Sequence, residues 1–334
     1  MADGVNRRWT LVSRPVGMVG VDNFHYGEEP RPQAGEGQCL VQTLYVSLDP
    51  AMRGWLNDRP SYVPPVAIGA VMRAGGVGRV VESYDPTMPV GSLVTGLTGW
   101  QEYIVPRGGF QVIPDGVSPE VALGALGATG MTAYFGLFDV GKLKDGETVV
   151  VSGAAGAVGS LVGQLAKIKG CRVVGIAGSP EKCAWVVDDL GFDACVDYQT
   201  ENVGRRLREL CPEGVDVYFD NVGGPILDQV LVRLNLRGRI VLCGAISTYN
   251  ATEPRPGPAF LSTLIPKRGR MEGFIVFDYA DRYPEAIEAM GGWLAAGTLK
   301  ARSQVVEGLE KAPQALLMLF DGANTGKLVL KVAE

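Results

Sequence analysis

Gly153, Gly156 and Gly159 stand between an apolar, β-branched run, Thr148–Ser152, and a stretch in which Val158, Leu161, Val162, Leu165 and Ile168 recur at helical spacing. A strand, a turn almost free of side chains and a helix N-terminus make an anion site. Backbone N–H groups without intrahelical acceptors face it, together with the positive end of the helix dipole. The chemistry expected there is the holding of a dinucleotide pyrophosphate by the glycine turn. The pattern departs from G-x-G-x-x-G, because Ala154 stands where the first glycine would be and Gly153 precedes it. The flanking strand and helix therefore carry the reading, with a merely tight strand-to-helix turn as the alternative.

The choice of dinucleotide is made at the end of the next strand. An NAD site needs an Asp or Glu there for the ribose hydroxyls, and that charge repels a 2′-phosphate. Here Arg172–Ala177 runs into Gly178, Ser179, Pro180, Glu181 and Lys182, with no acid at the strand end. Ser179 can donate a hydrogen bond and Lys182 can pair with phosphate, while Glu181 lies past the turn and favours the first turn of the next helix. This predicts NADP(H), against the alternative of Lys182 as a solvated helix residue. Nicotinamide contacts are expected at two later strand ends, in residues 220–224 and 243–249. Asn221 has an amide suited to ribose or carboxamide, with an Asx turn as its structural alternative.

Other chemistries are disfavoured by composition. The chain has one histidine, His25, and six cysteines without a C-x-x-C pair, which argues against catalytic zinc and against a Ser–His hydrolase. Its 31 basic and 36 acidic residues form no long run of one sign and give a net charge of −5, so nothing points to nucleic acid. No stretch approaches the roughly 20 apolar residues of a membrane span, and residues 1–4 do not open a signal peptide. A cytoplasmic protein is expected.

These residues need elements to position them. Residues up to about 120 read as short strands at 38–44, 67–81, 93–95, 102–105 and 110–113 between Gly and Pro breaks, which fits a compact barrel. Asp49-Pro50 reads as a helix cap and first helical position. Residues 119–138 look helical. Beyond the glycine loop, strands at 172–177, 194–196, 215–220 and 239–243 alternate with helices at 181–190, 201–210 and 226–234. That alternation predicts an α/β, doubly wound domain with a parallel sheet. A further strand at 271–277 and a helix at 284–296 follow. In the tail, a strand at 301–306, a helix at 309–320 and an alternating strand at 327–332 could close the first domain's barrel.

Several stretches carry a more specific resemblance: YVSLDPAMRGW (45–55), SYVPP (61–65), GMTAYFGL (130–137), GAAGAVGSLVGQLAK (153–167), VVGIAGSPEK (173–182), FDNVGG (219–224), CGAISTYN (243–250) and GKLVLKV (326–332). Taken in order over nearly the whole chain, they resemble the zinc-independent branch of the medium-chain dehydrogenase/reductase superfamily. This branch contains prostaglandin and leukotriene reductases and alkenal/alkenone double-bond reductases. The resemblance implies a GroES-like catalytic domain at 1–122 and 299–334, an inserted NADP-binding Rossmann domain at 123–298, and a homodimer.

The resemblance also implies roles for particular residues. Lys182 is placed at the 2′-phosphate with Gly178 and Ser179. Met131, Thr132, Gly156, Ala157, Val158, Gly159, Tyr198, Asn221, Cys243, Gly244, Ala245, Ile246, Ser247, Thr248, Tyr249, Phe274, Ile275, Val276 and Asn324 are placed along the cofactor. Where zinc-dependent relatives carry ligands, the chain reads Ser47-Leu48-Asp49 and Ile68-Gly69-Ala70, so no metal is expected. Ala51 and Ala70 replace an aromatic residue and an acid found in many members, which would enlarge or depolarise the pocket. The implied reaction is reduction of the C=C bond of a 2-alkenal or enone, including 15-oxoprostaglandin-like substrates, by hydride transfer from NADPH to the β-carbon. Tyr249 is the candidate proton donor, with a ribose hydroxyl or water as rivals and packing on the cofactor as the alternative role. Tyr45, Met131 and Tyr62 are candidate pocket walls, and Arg53 either anchors a carboxylate or fixes a loop. A quinone reductase and a non-catalytic, crystallin-like NADPH binder are the competing functions.

Overall fold

From the N-terminus, β1 (Val5–Leu11) pairs antiparallel with β2 (Phe24–Pro30). There follow β3 (Cys39–Ser47), α1 (Met52–Trp55), β4 (Gly76–Ser83), β5 (Leu93–Gly96), β6 (Tyr103–Ile104), β7 (Gln111–Val112) and α2 (Pro119–Leu123). The structure, a computed structural model, describes residues 4–334. The middle of the chain contains α3 (Ala128–Phe135), β8 (Thr148–Ser152), α4 (Ala157–Ile168), β9 (Arg172–Ala177), α5 (Pro180–Ala184), β10 (Ala194–Asp197) and α6 (Val203–Leu210). It continues through β11 (Val215–Asp220), α7 (Gly224–Leu231), β12 (Leu234–Leu242), α8 (Leu264–Lys267), β13 (Arg270–Gly273) and α9 (Tyr283–Ala295). The chain ends with β14 (Ser303–Glu307), α10 (Ala312–Leu317) and β15 (Lys327–Lys331). Two units result: residues up to Leu123 with Ser303–Glu334, and Gly124–Arg302.

In the first unit the sheet runs β14-β15-β3-β4-β5-β7, with β6 also paired to β3. All its pairs are antiparallel except β14–β15. The C-terminal strand is thus stitched to β3, with Val329 opposite Ser47 and Lys331 opposite Tyr45. A core of Trp9, Leu11, Met52, Met72, Trp100 and Leu328 binds the unit, and the Trp9 indole donates to the Leu309 carbonyl at 2.8 Å. Asp49 does not cap α1, whose N-cap is Ala51 without a side-chain bond. Its carboxylate accepts instead from the Ser47 hydroxyl and from Lys327 Nζ.

The second unit has six parallel strands in the order β10-β9-β8-β11-β12-β13. Its faces are covered by two separate apolar layers, one around Val149, Val151, Leu161, Val173 and Phe219, the other around Val150, Val174, Ile176, Val196, Tyr218 and Ile240. Alternate residues of each strand face opposite layers, as strand geometry requires. The near-continuous apolar runs follow from burial on both sides.

Two predicted helices differ from the observed elements. The helical stretch at 119–138 is interrupted between α2 and α3, where the Gly127 and Gly130 N–H groups both donate to the Gly124 carbonyl, at 3.1 and 3.0 Å, in place of a continuous helical ladder. The helix predicted through 234 ends at Leu231, since β12 already begins at Leu234. Val215 pairs with Leu234 and Val217 with Arg239, so residues 235–238 bulge out of register between those pairs, with Arg237 at φ +59°.

Candidate functional site

The strand order reverses between β8 and β11, and in a doubly wound sheet the crevice at the carboxyl ends beside that point is where a nucleotide fits. The glycine loop lies there. Gly153 adopts φ +60°, a left-handed conformation that favours glycine, and the Gly156 N–H donates to its carbonyl at 2.9 Å. A Cβ on Gly159 would lie 2.3 Å from the same oxygen, so the helix can sit this close to the turn only without a side chain. Ala154 is fully buried and its N–H pairs with Ile176, which explains how an alanine occupies the first fingerprint position: its methyl points into the sheet against Gly175. Gly156 is the N-cap of α4 and no side chain caps the helix. The N-terminal turn, Gly156 through Val158, is partly exposed. The Ala157 and Val158 N–H groups lack intrahelical acceptors, so the turn fits a pyrophosphate.

At the end of β9, Ser179 caps α5 by accepting from the Lys182 N–H at 3.2 Å. The Tyr198 ring lies over Gly178, whose missing side chain would stand 2.9 Å from the phenol oxygen. Glu181 is in the exposed first turn of α5. Hydrogen bonds from its own backbone and from Ser179 hold its carboxyl below the ordinary value. Half-burial pushes the Lys182 ammonium pKa down. No acid stands at the β9 end, where Ala177 leads to Gly178. A cation, a capping hydroxyl and an aromatic ring suit an adenosine 2′-phosphate.

The β11 and β12 ends are laced together. Asn221 makes no Asx turn: one Nδ2 hydrogen goes to the Ser152 carbonyl at 2.7 Å, and the backbone N–H donates to Ser152 Oγ at 3.0 Å, which ties the residue to β8. Gly223 and Gly224 both have positive φ. The Ser247 hydroxyl donates to the Val222 carbonyl at 2.6 Å, and the Ile246 N–H to the Asn221 carbonyl. Residues Cys243 through Tyr249 therefore form a partly exposed loop that folds back on itself, with the Tyr249 phenol oxygen accepting from the Ala245 N–H at 3.2 Å and lying beside Gly244. Thr248 Oγ1 donates to the Ala245 carbonyl.

Burial and the Asp220 charge push the Cys243 thiol up to about 12. Cys243 is expected to resist iodoacetamide in the folded protein at about pH 8, where so little thiolate exists, and to react after unfolding. Mass mapping of the modified peptides checks this.

Sequence reasoning included Asp220 in the 220–224 strand end without giving it a role of its own; it is 0% exposed. Its Oδ1 accepts from Ser152 Oγ (3.0 Å), the Tyr218 hydroxyl (2.8 Å), the Val222 N–H (2.9 Å) and the Gly223 N–H (2.8 Å). Its backbone carbonyl accepts from the Cys243 and Gly244 N–H groups. The available signal was an acid directly after the run Val217-Tyr218-Phe219, since a buried acid must organise donors around itself.

Other candidates make contacts within the second unit. Met131 is 1% exposed in the core, and Thr132 donates back to the Ala128 carbonyl. The Phe274 ring packs on Gly136, and the Val276 carbonyl accepts from the Tyr283 hydroxyl, leaving Ile275 partly exposed between them.

The remaining candidates belong to the first unit. Arg53 is 3% exposed and its guanidinium donates to the Gly17 and Pro15 carbonyls and to Asn57, so it clamps the 15–17 loop. Tyr45 packs against Val77, Ile113, Leu123 and Val329 and hydrogen-bonds Glu120; burial first and that carboxylate second raise its pKa. Tyr62 is exposed and accepts from the Trp55 indole at 2.9 Å. Asn324 donates to the Gly326 carbonyl.

A family model described as the N-terminal domain of oxidoreductase matches residues 7–112, and one described as zinc-binding dehydrogenase matches residues 157–291. The NADPH-dependent curcumin reductase of Escherichia coli (strain K12) is 46% identical over 98% of this chain and 97% of its own length. The chain belongs to the zinc-independent branch of the medium-chain dehydrogenase/reductase family. The 2-alkenal reductase (NADP(+)-dependent) of Nicotiana tabacum is 46% identical over 90% of this chain and 88% of its own. CurA from Vibrio vulnificus, in a crystal structure in complex with NADPH, is 44% identical, with a TM-score of 0.94 over 98% of this chain and 99% of that one.

In this family member the Ser47-Leu48-Asp49 stretch forms an ion pair rather than a ligand set. Lys327, 3% exposed, places Nζ 2.8 Å from Asp49 Oδ1 and 2.9 Å from the Leu48 carbonyl. Among the described residues, no three His, Cys, Asp or Glu side chains converge as a metal site. None of the described helices is long and apolar enough to cross a membrane.

Proposed function

We propose that this reductase uses NADPH to reduce the carbon–carbon double bond of α,β-unsaturated aldehydes and ketones. The observation that carries the reading is the second unit's cleft, an uncapped helix N-terminus joined to a Lys182–Ser179 pair at a strand end without an acid. Relatives named for curcumin and 2-alkenal reduction support the substrate class. When bound, NADPH supplies the hydride that goes to the β-carbon. The chain's part is to hold and orient. The glycine turn binds the pyrophosphate, Lys182 the 2′-phosphate, and the laced 221–224 and 243–249 loops set the position of the reacting end. Tyr249 delivers the proton to the α-carbon in this reading, its oxygen oriented by the Ala245 N–H. A homodimer belongs to the same proposal.

A panel of 2-alkenals, cyclic enones, 15-oxo lipids and quinones, followed by NADPH absorbance, tests the reading. Consumption with enals and enones is the expected result. Turnover of quinones alone would assign quinone reduction, and binding without turnover a storage role. Tyr249→Phe is expected to lower kcat with a 2-alkenal by about 100-fold with little change in NADPH affinity, the range of general acid catalysis. An unchanged rate would remove Tyr249 from the proton path.

A further inference from the structure

A polar cavity of about 370 Å³ lies within the first unit, bordered by Gly4, Val5, Arg31, Gln42, Tyr103 and Ala333 and by the Arg7–Glu102 pair. Strand pairing brings its polar side chains together. Gln42 of β3 stands directly opposite Tyr103 of β6, so the two side chains leave the same face of the sheet. Asn6 of β1, itself buried, fixes Tyr103 by donating to its carbonyl at 3.0 Å and accepting from its N–H at 2.9 Å. Arg31 follows β2, and its N–H donates to the Gly4 carbonyl at 2.8 Å. Its aliphatic stem lies over Gly4, where Cδ is 3.0 Å from the position of an added Cβ. The guanidinium carbon then sits 4.2 Å from the centre of the Tyr103 ring, an arrangement that leaves the edge of the guanidinium to make hydrogen bonds. That edge is not used inside the protein. Among the described residues no carboxylate pairs with Arg31, its buried Nε has no partner, and neither the Gln42 amide nor the Tyr103 hydroxyl has one. The acid at the rim is already committed: the Glu102 oxygens accept from the Arg7 N–H at 2.9 Å and from Arg7 Nη1 at 3.1 Å, and Arg7 Nε turns to Glu28 at 3.3 Å. Arg31 is the cation without an acid.

We propose that this cavity is a binding site for a small organic monocarboxylate, held by Arg31, Tyr103 and Gln42. A planar carboxylate meets the edge of a guanidinium with two oxygens on two N–H groups, and the Nη pair makes that contact because Nε is buried. The Tyr103 hydroxyl and the Gln42 amide add neutral donors to the same oxygens. Charge chooses the class of anion. One cation without an acid suits one negative charge, whereas a phosphate dianion beside the Glu102 carboxylate would bring a second charge that nothing offsets. Val5, 45% exposed, and Ala333 supply a wall for the apolar body of the carboxylate. Stacking on Tyr103 already orders the Arg31 side chain, so binding loses little further rotamer freedom. None of the bordering residues is among those assigned to NADPH or to the enone, so the site stands whether or not the NADPH reading does.

The experiment titrates the full-length protein calorimetrically with sodium benzoate, with benzamide, its uncharged counterpart of similar shape, and with inorganic phosphate. Saturable binding of benzoate at one site is expected, with no binding of benzamide and weaker binding of phosphate. Arg31→Ala should raise the benzoate Kd by about ten-fold or more, the size of a charge-assisted contact, and Tyr103→Phe and Gln42→Ala by about two- to ten-fold each, the size of a neutral hydrogen bond. Arg31→Lys keeps the charge without the fork and should recover only part of the affinity. Melting curves of the variants show that each is folded. If Arg31→Ala does not fold, Tyr103→Phe, which keeps the ring against the guanidinium, and Gln42→Ala decide the site. No saturable binding of benzoate, or a Kd unchanged in every folded variant, would overturn the site. Equal binding of benzamide would overturn recognition by charge, and tighter binding of phosphate would overturn the carboxylate class.

Discussion

Asp220→Ala is expected to be the most destabilising single substitution at the candidate site. It removes one oxygen that accepts four hydrogen bonds, two of them from the fully buried Ser152 and Tyr218. Each buried donor left without an acceptor costs about 1–3 kcal/mol, so a total of roughly 4 kcal/mol or more is a fair expectation. For a unit of this size that corresponds to a Tm lower by about 8–16 °C, readable by calorimetry. The loss should extend to function, because the Val222 and Gly223 N–H groups set the 221–224 loop, and the Asp220 carbonyl holds Cys243 and Gly244 beside it. NADPH affinity should fall with stability. Asp220→Asn keeps an acceptor oxygen and should lose less of both. If Asp220→Ala melted within about 2 °C of the wild type, four hydrogen bonds to a buried acid would be worth far less than such bonds usually are.

Lys182→Ala is expected to raise the Kd for NADPH by about 10- to 100-fold and that for NADH by no more than about two-fold. A charge-assisted hydrogen bond to phosphate contributes about 1.5–3 kcal/mol, and NADH has no phosphate at that position. The pH dependence follows from the direction of the shift. Half-burial lowers the Lys182 pKa, so its positive charge is lost at a lower pH than that of a solvated lysine. Affinity for NADPH should therefore fall as pH rises through that pKa, while affinity for NADH stays level. Isothermal titration with both dinucleotides across the alkaline range measures this. Equal losses for the two would refute the phosphate assignment.

What could be read without coordinates was local. Thr148–Ser152, Arg172–Ala177 and Val215–Asp220 are strands at the residues expected, because fully buried parallel strands are continuous β-branched and apolar runs with sharp ends. The glycine turn was visible because close backbone approach admits no side chain at Gly159, and the missing acid after Ala177 because charge type is read directly from the residues. Element ends were less legible. Helix 226–234 looked continuous in its apolar spacing, but the bulge at 235–238 draws the chain into β12 early to satisfy a register set by β11. Asp49 has the residue type and position of a cap, yet Lys327, 278 residues away, takes its carboxylate.

The sequence by itself determined the doubly wound unit, the glycine turn at Gly153, Gly156 and Gly159, and a strand end without an acid ahead of Lys182, since each depends on neighbours within a few residues. Only the tertiary structure decided which side chains are spent holding the protein together. Arg53 is a clamp on the 15–17 loop, Met131 is core, Asn221 gives one of its two amide hydrogens to Ser152, and Asp220 organises the strand ends. The physical reason is that a polar side chain has few hydrogen bonds to give. Whether a ligand or the chain itself receives them depends on partners brought together by the sheet, from tens to hundreds of residues apart.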